Sequence, residues 1–352
     1  LFINPYKGAS MSLSLMSAKK VDVISDTICK RARIDTGPFC NYKCNFCYYK
    51  LQLSERRPLE EIFSQIDYAK EYGMTSLDFS GGESSVEPNW FNILEYANKR
   101  FDYLSCVSHG GKFANIDFLK KSQDAGLREI LFSVHGQTAE IHDKITERKG
   151  SFKKIVQAIE NAHQLGIVVR INCTVSFENY KCIDTKVLES LRPLQLNFIV
   201  VNYWGDNRHE KTTIDYGGMS KYLHNYLDEI ASIRYVNVRY IPMCYMKGYE
   251  KYVIGYMQLP FDLYDWNIAY YAQDDRGIVL TKDNLKDLYS TAELQRASSY
   301  QKPLTCITCK HFYICDGVEK GQEMPVFPEE GEKIGDPIHY CRSNMIGSPV
   351  LD

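Results

Sequence analysis

The stretch Arg33-Ile-Asp-Thr36 runs straight into Gly37-Pro-Phe-Cys40-Asn-Tyr-Lys-Cys44-Asn-Phe-Cys47. A short β-branched strand thus opens onto three cysteines within eight residues, with no fourth cysteine nearby. A compact loop with this spacing can bring three thiolates to three corners of an iron–sulfur cubane and leave one iron open to a reactant. Zinc on three thiolates, or plain buried thiols, is the other reading of the same residues.

Working outward, further strands are expected at Ser76–Ser80, Leu104–Ser108, Ile130–His135, Val168–Val175 and Phe198–Tyr203. Helical stretches alternate with them: Leu59–Tyr72, Trp90–Arg100, Asp117–Asp124, Phe152–Leu165, Thr185–Leu191 and Ser220–Ile233. Gly73, Gly126 and Gly166 supply helix stop signals. Six strand–helix units in this order predict an α/β fold, a partial (β/α)6 TIM-type barrel, with a smaller C-terminal iron–sulfur domain. Parallel β/α folds collect ligands at the carboxyl ends of their strands. Cys40 to Cys47, Gly81-Gly82-Glu83, His109 and His135 all fall there; His109 by itself reads as loop or core.

At this point the chain resembles the radical S-adenosylmethionine (SAM) superfamily. The three cysteines are spaced by three and two residues, and Phe46 fills the aromatic position before the last. The resemblance extends over the alternating segments as well as the loop. It implies that Cys40, Cys44 and Cys47 hold a [4Fe–4S] cluster whose open iron is chelated by SAM. Reductive cleavage would then give a 5′-deoxyadenosyl radical that takes a hydrogen atom from a substrate. Gly81, Gly82 and Glu83 look like the family's motif for the methionyl amino group; two glycines also permit close backbone approach. The resemblance gives Ser133, at the end of the fourth strand, a ribose or carboxylate contact. Arg170 and Asn172 share one strand face, with the same cofactor groups as partners, and Val200 is a candidate for packing on adenine. A satisfied interior polar residue, or plain core, is the alternative for each.

A second group follows: Cys306-Ile-Thr-Cys309, five residues to Cys315, and a long gap to Cys341. Four thiolates suit a fully ligated cluster for electron transfer, or structural zinc. The spacing is similar to part of the SPASM extension, which implies an auxiliary [4Fe–4S] cluster in a partial SPASM/twitch-like domain. Two positions depart from the full pattern, Glu319 and Pro260, so a second auxiliary cluster is not expected. Cys244 stands apart from this set as a core thiol, or as the catalytic candidate for returning a hydrogen atom to substrate.

The expected domains are an N-terminal extension over 1–30, the barrel over 31–234 and the auxiliary domain over 235–352. Residues Tyr240–Tyr271 hold eight tyrosines together with Gln258, Asp262, Asp265 and Trp266, a set suited to sugar or base faces, or to packing a domain junction.

A formal net charge of −2 implies no broad positive field, so neither nucleic acid nor a membrane is an expected partner. No apolar run reaches the roughly 20 residues of a membrane span. Residues 1–20 do not read as a secretory leader, and twelve cysteines with most in ligand spacings fit a reducing, cytoplasmic setting. The expected partners are a small polar metabolite (sugar, nucleoside or amino-acid-like) or a peptide, with an external one-electron donor such as flavodoxin or ferredoxin. A peptide-modifying maturase is the alternative function. From another class comes an electron carrier or zinc-structured binding module, which would need neither Glu83 nor an open site.

Overall fold

The structure is a computed structural model, and it describes residues 28–47, 49, 54–201, 215–267, 288–321 and 325–341. The expected ends of the sixth strand at Tyr203 and of the tyrosine-rich segment at Tyr271 lie outside these, as does residues 1–27 of the N-terminal extension.

Seven strands form one parallel sheet in sequence order. They are β1 (Arg31–Asp35), β2 (Ser76–Ser80), β3 (Tyr103–Ser108), β4 (Leu127–Ser133), β5 (Val168–Val175), β6 (Gln195–Val200) and β7 (Tyr235–Arg239). This is the order of a partial TIM-type barrel. The connecting helices are α1 (Leu59–Glu71), α2 (Trp90–Asn98), α3 (Ile116–Asp124), α4 (Ala139–Thr146), α5 (Ser151–Gln164), α6 (Thr185–Ser190) and α7 (Tyr216–Glu229). Two elements are additions to the sequence expectation. β7 begins where a domain boundary at 234 was expected, and it pairs with β6 from Gln195↔Tyr235 to Ile199↔Arg239. α4 is a single short helix rich in polar residues, capped by the Thr138 hydroxyl, which accepts from the Ile141 amide at 3.3 Å.

The physics of the sheet is that of a buried parallel array. Ile34, Phe79, Phe132 and Phe198 are fully enclosed on β1, β2, β4 and β6. α5 shows how the outer layer attaches: Ile155, Ala158, Ile159 and Ala162 recur at helical spacing and form its buried face. Each such large apolar side chain removed from water contributes about 1.5–3 kcal/mol. Gly73, Gly126 and Gly166 have φ of +88°, +120° and +68°, the left-handed conformation that ends α1, α3 and α5.

The chain separates into two compact units, Lys30–Tyr240 and Ile241 onward together with the residues up to Cys29. The second unit contains short 3-10 turns, a helix α8 (Leu288–Ser299) and a two-stranded antiparallel pair, β8 (Tyr300–Gln301) with β9 (Val318–Glu319). Among the described residues, no helix is long and apolar enough to cross a membrane.

Candidate active site

The cysteine loop leaves the carboxyl end of β1 and lies across the turn that follows β2. The Gly82 amide donates to the Gly37 carbonyl and the Glu83 amide to the Phe39 carbonyl, both at 2.8 Å. The two glycines therefore serve the loop backbone itself, where close approach to a ligand was expected. A Cβ on Gly82 would stand 2.2 Å from the Phe39 oxygen and one on Gly81 2.4 Å from the Gly37 oxygen. On its other side the loop is tied to the last turn of α4. The Asn45 amide donates to the Ile145 carbonyl at 2.9 Å and the Lys43 amide to the Thr146 carbonyl at 3.4 Å. Phe46 meets the ring of His135 edge-on, with centroids 4.7 Å apart.

Cys40, Cys44 and Cys47 are half-buried and lie close enough to repel one another as thiolates. Burial, then the charge of Glu83, pushes the Cys40 thiol up to about 12, and burial followed by Cys40 and Cys47 raises Cys44 further still. Three soft donors crowded in this way, each costly to ionise alone, form a donor set that a bound cation satisfies. They fit three corners of a [4Fe–4S] cluster.

Glu83 is 1% exposed and held by three donors, one from the turn after β2 and two from the end of β3. The Ser85 and Ser108 hydroxyls donate to Oε1, the latter at 2.8 Å, and the His109 amide donates to Oε2 at 2.8 Å. A carboxylate offers about four lone-pair sites. Three are used, which leaves one for an incoming ammonium group. His109, expected as loop or core, completes this cradle. Its Nδ1 accepts from the Gly111 amide at 3.0 Å, so the proton sits on Nε2, 2.8 Å from Asn41 Oδ1. Tyr42 stacks on the His109 ring at 3.7 Å, and burial lowers the imidazole's pKa, keeping it neutral.

The other expected cofactor contacts divide. Ser133 and Asn172 pair across β4 and β5 and remain half-exposed, with Asn172 Oδ1 accepting from Asn197 at 2.8 Å. Arg170 corrects the expectation. It is 3% exposed in the amino-terminal half of β5, where it donates to Gln195 Oε1 at 2.7 Å and pairs with Glu129. Arg31 joins from the other side at 2.6 Å and Tyr103 at 2.8 Å. Burial alone would raise the Glu129 pKa, but the two guanidiniums hold it down to about 2. Arg170 is thus a member of a buried ion triad. Val200 is 1% exposed and sealed into the core, with no face to offer adenine.

In the second unit Cys306, Cys309 and Cys315 line one small cavity, and the fourth thiol on its wall is Cys244 rather than Cys341. Burial, then the charge of Cys244, pushes the Cys306 thiol up to about 11, and Cys244 is itself raised by burial with the charge of Cys309 adding to it. The Met243 and Gly317 amides donate to Cys315 Sγ, each at 3.4 Å. Cys341 is fully buried with its Sγ 3.9 Å from the Gln258 carbonyl. Cys244 therefore stands on one wall with Cys306, Cys309 and Cys315, while Cys341 does not line that cavity. Gln258 and Asp262, read either as substrate contacts or as packing, are buried braces; Gln258 accepts from the Gly255 amide at 2.7 Å and Asp262 from the Tyr264 amide at 3.0 Å.

With this geometry in view, residues 34–185 match the family described as the Radical SAM superfamily. Among curated proteins, the antilisterial bacteriocin subtilosin biosynthesis protein AlbA of Bacillus subtilis (strain 168) is 29% identical over 146 residues, 40% of this chain and 32% of AlbA. GTP 3′,8-cyclase of Syntrophomonas wolfei is 29% identical over 184 residues, 49% of this chain and 56% of that enzyme. The chain thus spans about a third to just over half of these relatives. Among solved structures, anSMEcpe with bound AdoMet and Kp18Cys peptide superimposes with a TM-score of 0.57, 16% identity and coverage of 89% of this chain and 94% of that one. That likeness shows the shared fold. The family uses a [4Fe–4S] cluster and SAM. Residues 34–185 thus form a Radical SAM domain, and the relatives this chain matches include radical SAM enzymes.

Proposed function

We propose that the chain cleaves SAM reductively and uses the resulting carbon radical to abstract hydrogen from a peptide. The observation that carries the first half is the three-thiol loop fastened over Glu83 at the carboxyl edge of the sheet. Cys40, Cys44 and Cys47 would hold the cluster, which when bound would supply the electron for sulfonium cleavage. The chain's own residues position the cofactor. Glu83 accepts from the amino group with its remaining lone pair, while Ser85, Ser108 and His109 keep the carboxylate from turning away. Ser133 and Asn172 are the half-exposed polar groups left on β4 and β5 for ribose or carboxylate oxygens.

Cys306, Cys309, Cys315 and Cys244 are assigned to an auxiliary [4Fe–4S] cluster, zinc being the other metal that suits four thiolates. Such a cluster suits an oxidation, since it can take the electron left on the product. The peptide reading draws support from AlbA, named for bacteriocin biosynthesis, and from the peptide bound in anSMEcpe. The small-metabolite reading is supported by the cyclase relative, whose name contains a nucleotide. Candidate peptides and metabolites deuterated at carbon decide between them. Transfer of deuterium into 5′-deoxyadenosine from a peptide, and not from nucleotides or sugars, is the expected result. Transfer from a metabolite alone would reverse the assignment.

A further inference from the structure

Beside the second thiol site, and sharing Cys244 and His311 with its wall, the second unit holds a cavity of about 350 Å3 whose wall includes Glu250, His311 and Glu329. The ligand-type atoms of these three residues all lie within 4.8 Å of one another. His311 is 2% exposed and its Nε2 has no hydrogen-bond partner. A buried imidazole nitrogen left unpaired is rare in a settled structure, because it gives up its bond to water without replacement. Two carboxylates in reach of that ring, with room beside them, are what a bound cation would satisfy.

The backbone fixes this arrangement. Cys309 bridges Glu330 in antiparallel fashion, the Lys310 amide donates to the Glu329 carbonyl at 2.7 Å, and the Ile334 amide to the Lys310 carbonyl at 2.8 Å. His311 and Glu329 therefore sit on paired segments, while Glu250 opens the 3-10 turn Glu250–Tyr252. The Lys310 ammonium takes Glu329 Oε1 at 2.5 Å, which leaves Oε2 for another partner. Lys247 also stands on the cavity wall. Two lysines this close disfavour a cation held by charge alone, so a cation forming directional bonds to nitrogen is selected over magnesium or calcium.

We propose that Glu250, His311 and Glu329 form a three-ligand site for a divalent transition cation of the zinc class, with its open positions facing the cavity. Three protein ligands with a vacant fourth position is the arrangement that accepts an oxygen ligand from a bound molecule. The site stands independently of which thiols hold the auxiliary cluster, although His311 also lines the thiol cavity.

The test is anaerobic dialysis of the cluster-loaded protein against buffered Zn2+, with zinc and iron per chain measured in the same sample. One zinc per chain is expected, with affinity at least about tenfold weaker in Glu250→Gln and Glu329→Gln and iron unchanged. Both carboxylates are half-buried, so these amides are compatible with folding, and unchanged iron reports it. No zinc uptake, or equal uptake in both variants, overturns the proposal. So does a His311→Gln variant that loses iron while keeping zinc, since that places the imidazole on the auxiliary cluster.

Discussion

Glu83 is fixed by two hydroxyls and one amide before a cofactor binds, so its remaining lone pair already points to a defined place. Removing its charge in Glu83→Gln should weaken SAM binding to the cluster-loaded protein by about 10–100-fold, the size of a charge-assisted bond. Equilibrium binding with labelled cofactor measures it, and an unchanged affinity would remove Glu83 from the site. Glu129 shows the opposite use of a buried carboxylate. Its pKa is held at about 2, below the ordinary 4.5, by Arg31 and Arg170. A depressed folded-state pKa contributes stability that is present above pH 4.5 and is lost as pH falls toward 2. Glu129→Gln leaves two buried guanidiniums short of a counter-charge and should cost about 3–5 kcal/mol at neutral pH. That corresponds to a fall of roughly 6–20 °C in melting temperature. The difference between wild type and variant should shrink in acid below pH 4.5. A difference that grows in acid would contradict the ion-triad assignment.

At the scale of elements, the cysteine loop has no regular structure of its own and borrows its shape from β2's following turn and from α4. Gly82→Ala forces a Cβ to within 2.2 Å of the Phe39 carbonyl, so the loop must shift while the sheet stands. Reconstituted Gly82→Ala should lose about 4 irons yet keep the circular dichroism of the wild type. Full iron retention would show that the close approach is not needed. Much of this scale was legible in the sequence. Ser76–Ser80 and Val168–Val175 were bounded correctly because β-branched and apolar runs end at turn residues. α4 was missed because eight residues with two isoleucines and several charges carry little periodicity. β7 was missed because its tyrosine start resembles the segment that follows. Arg170 was misassigned because alternation tells which face a residue occupies but not its height along the strand; Asn172, two residues on, lies nearer the carboxyl edge. Ser108 and His109 close around Glu83 from a separate strand, a proximity that spacing along the chain does not carry.

Across the whole molecule, the cysteines divide into an open three-thiol loop in one compact unit and a four-thiol cavity in the other. The second set was only partly legible: Cys306, Cys309 and Cys315 follow from spacing, whereas Cys244 reaches them across more than sixty residues of chain. Cys309→Ala should lower iron from about 8 to about 4 per chain and preserve some SAM cleavage, while product formation is lost. Equal loss of cleavage in Cys309→Ala and Cys40→Ala would undo that division. The central claim is tested most directly by incubating the anaerobically reconstituted protein with a strong reductant and SAM, and assaying 5′-deoxyadenosine and methionine. Wild type should form both in equal amounts and Cys40→Ala neither. An iron-loaded wild type that forms no 5′-deoxyadenosine, or a Cys40→Ala variant that forms as much as wild type, would contradict it.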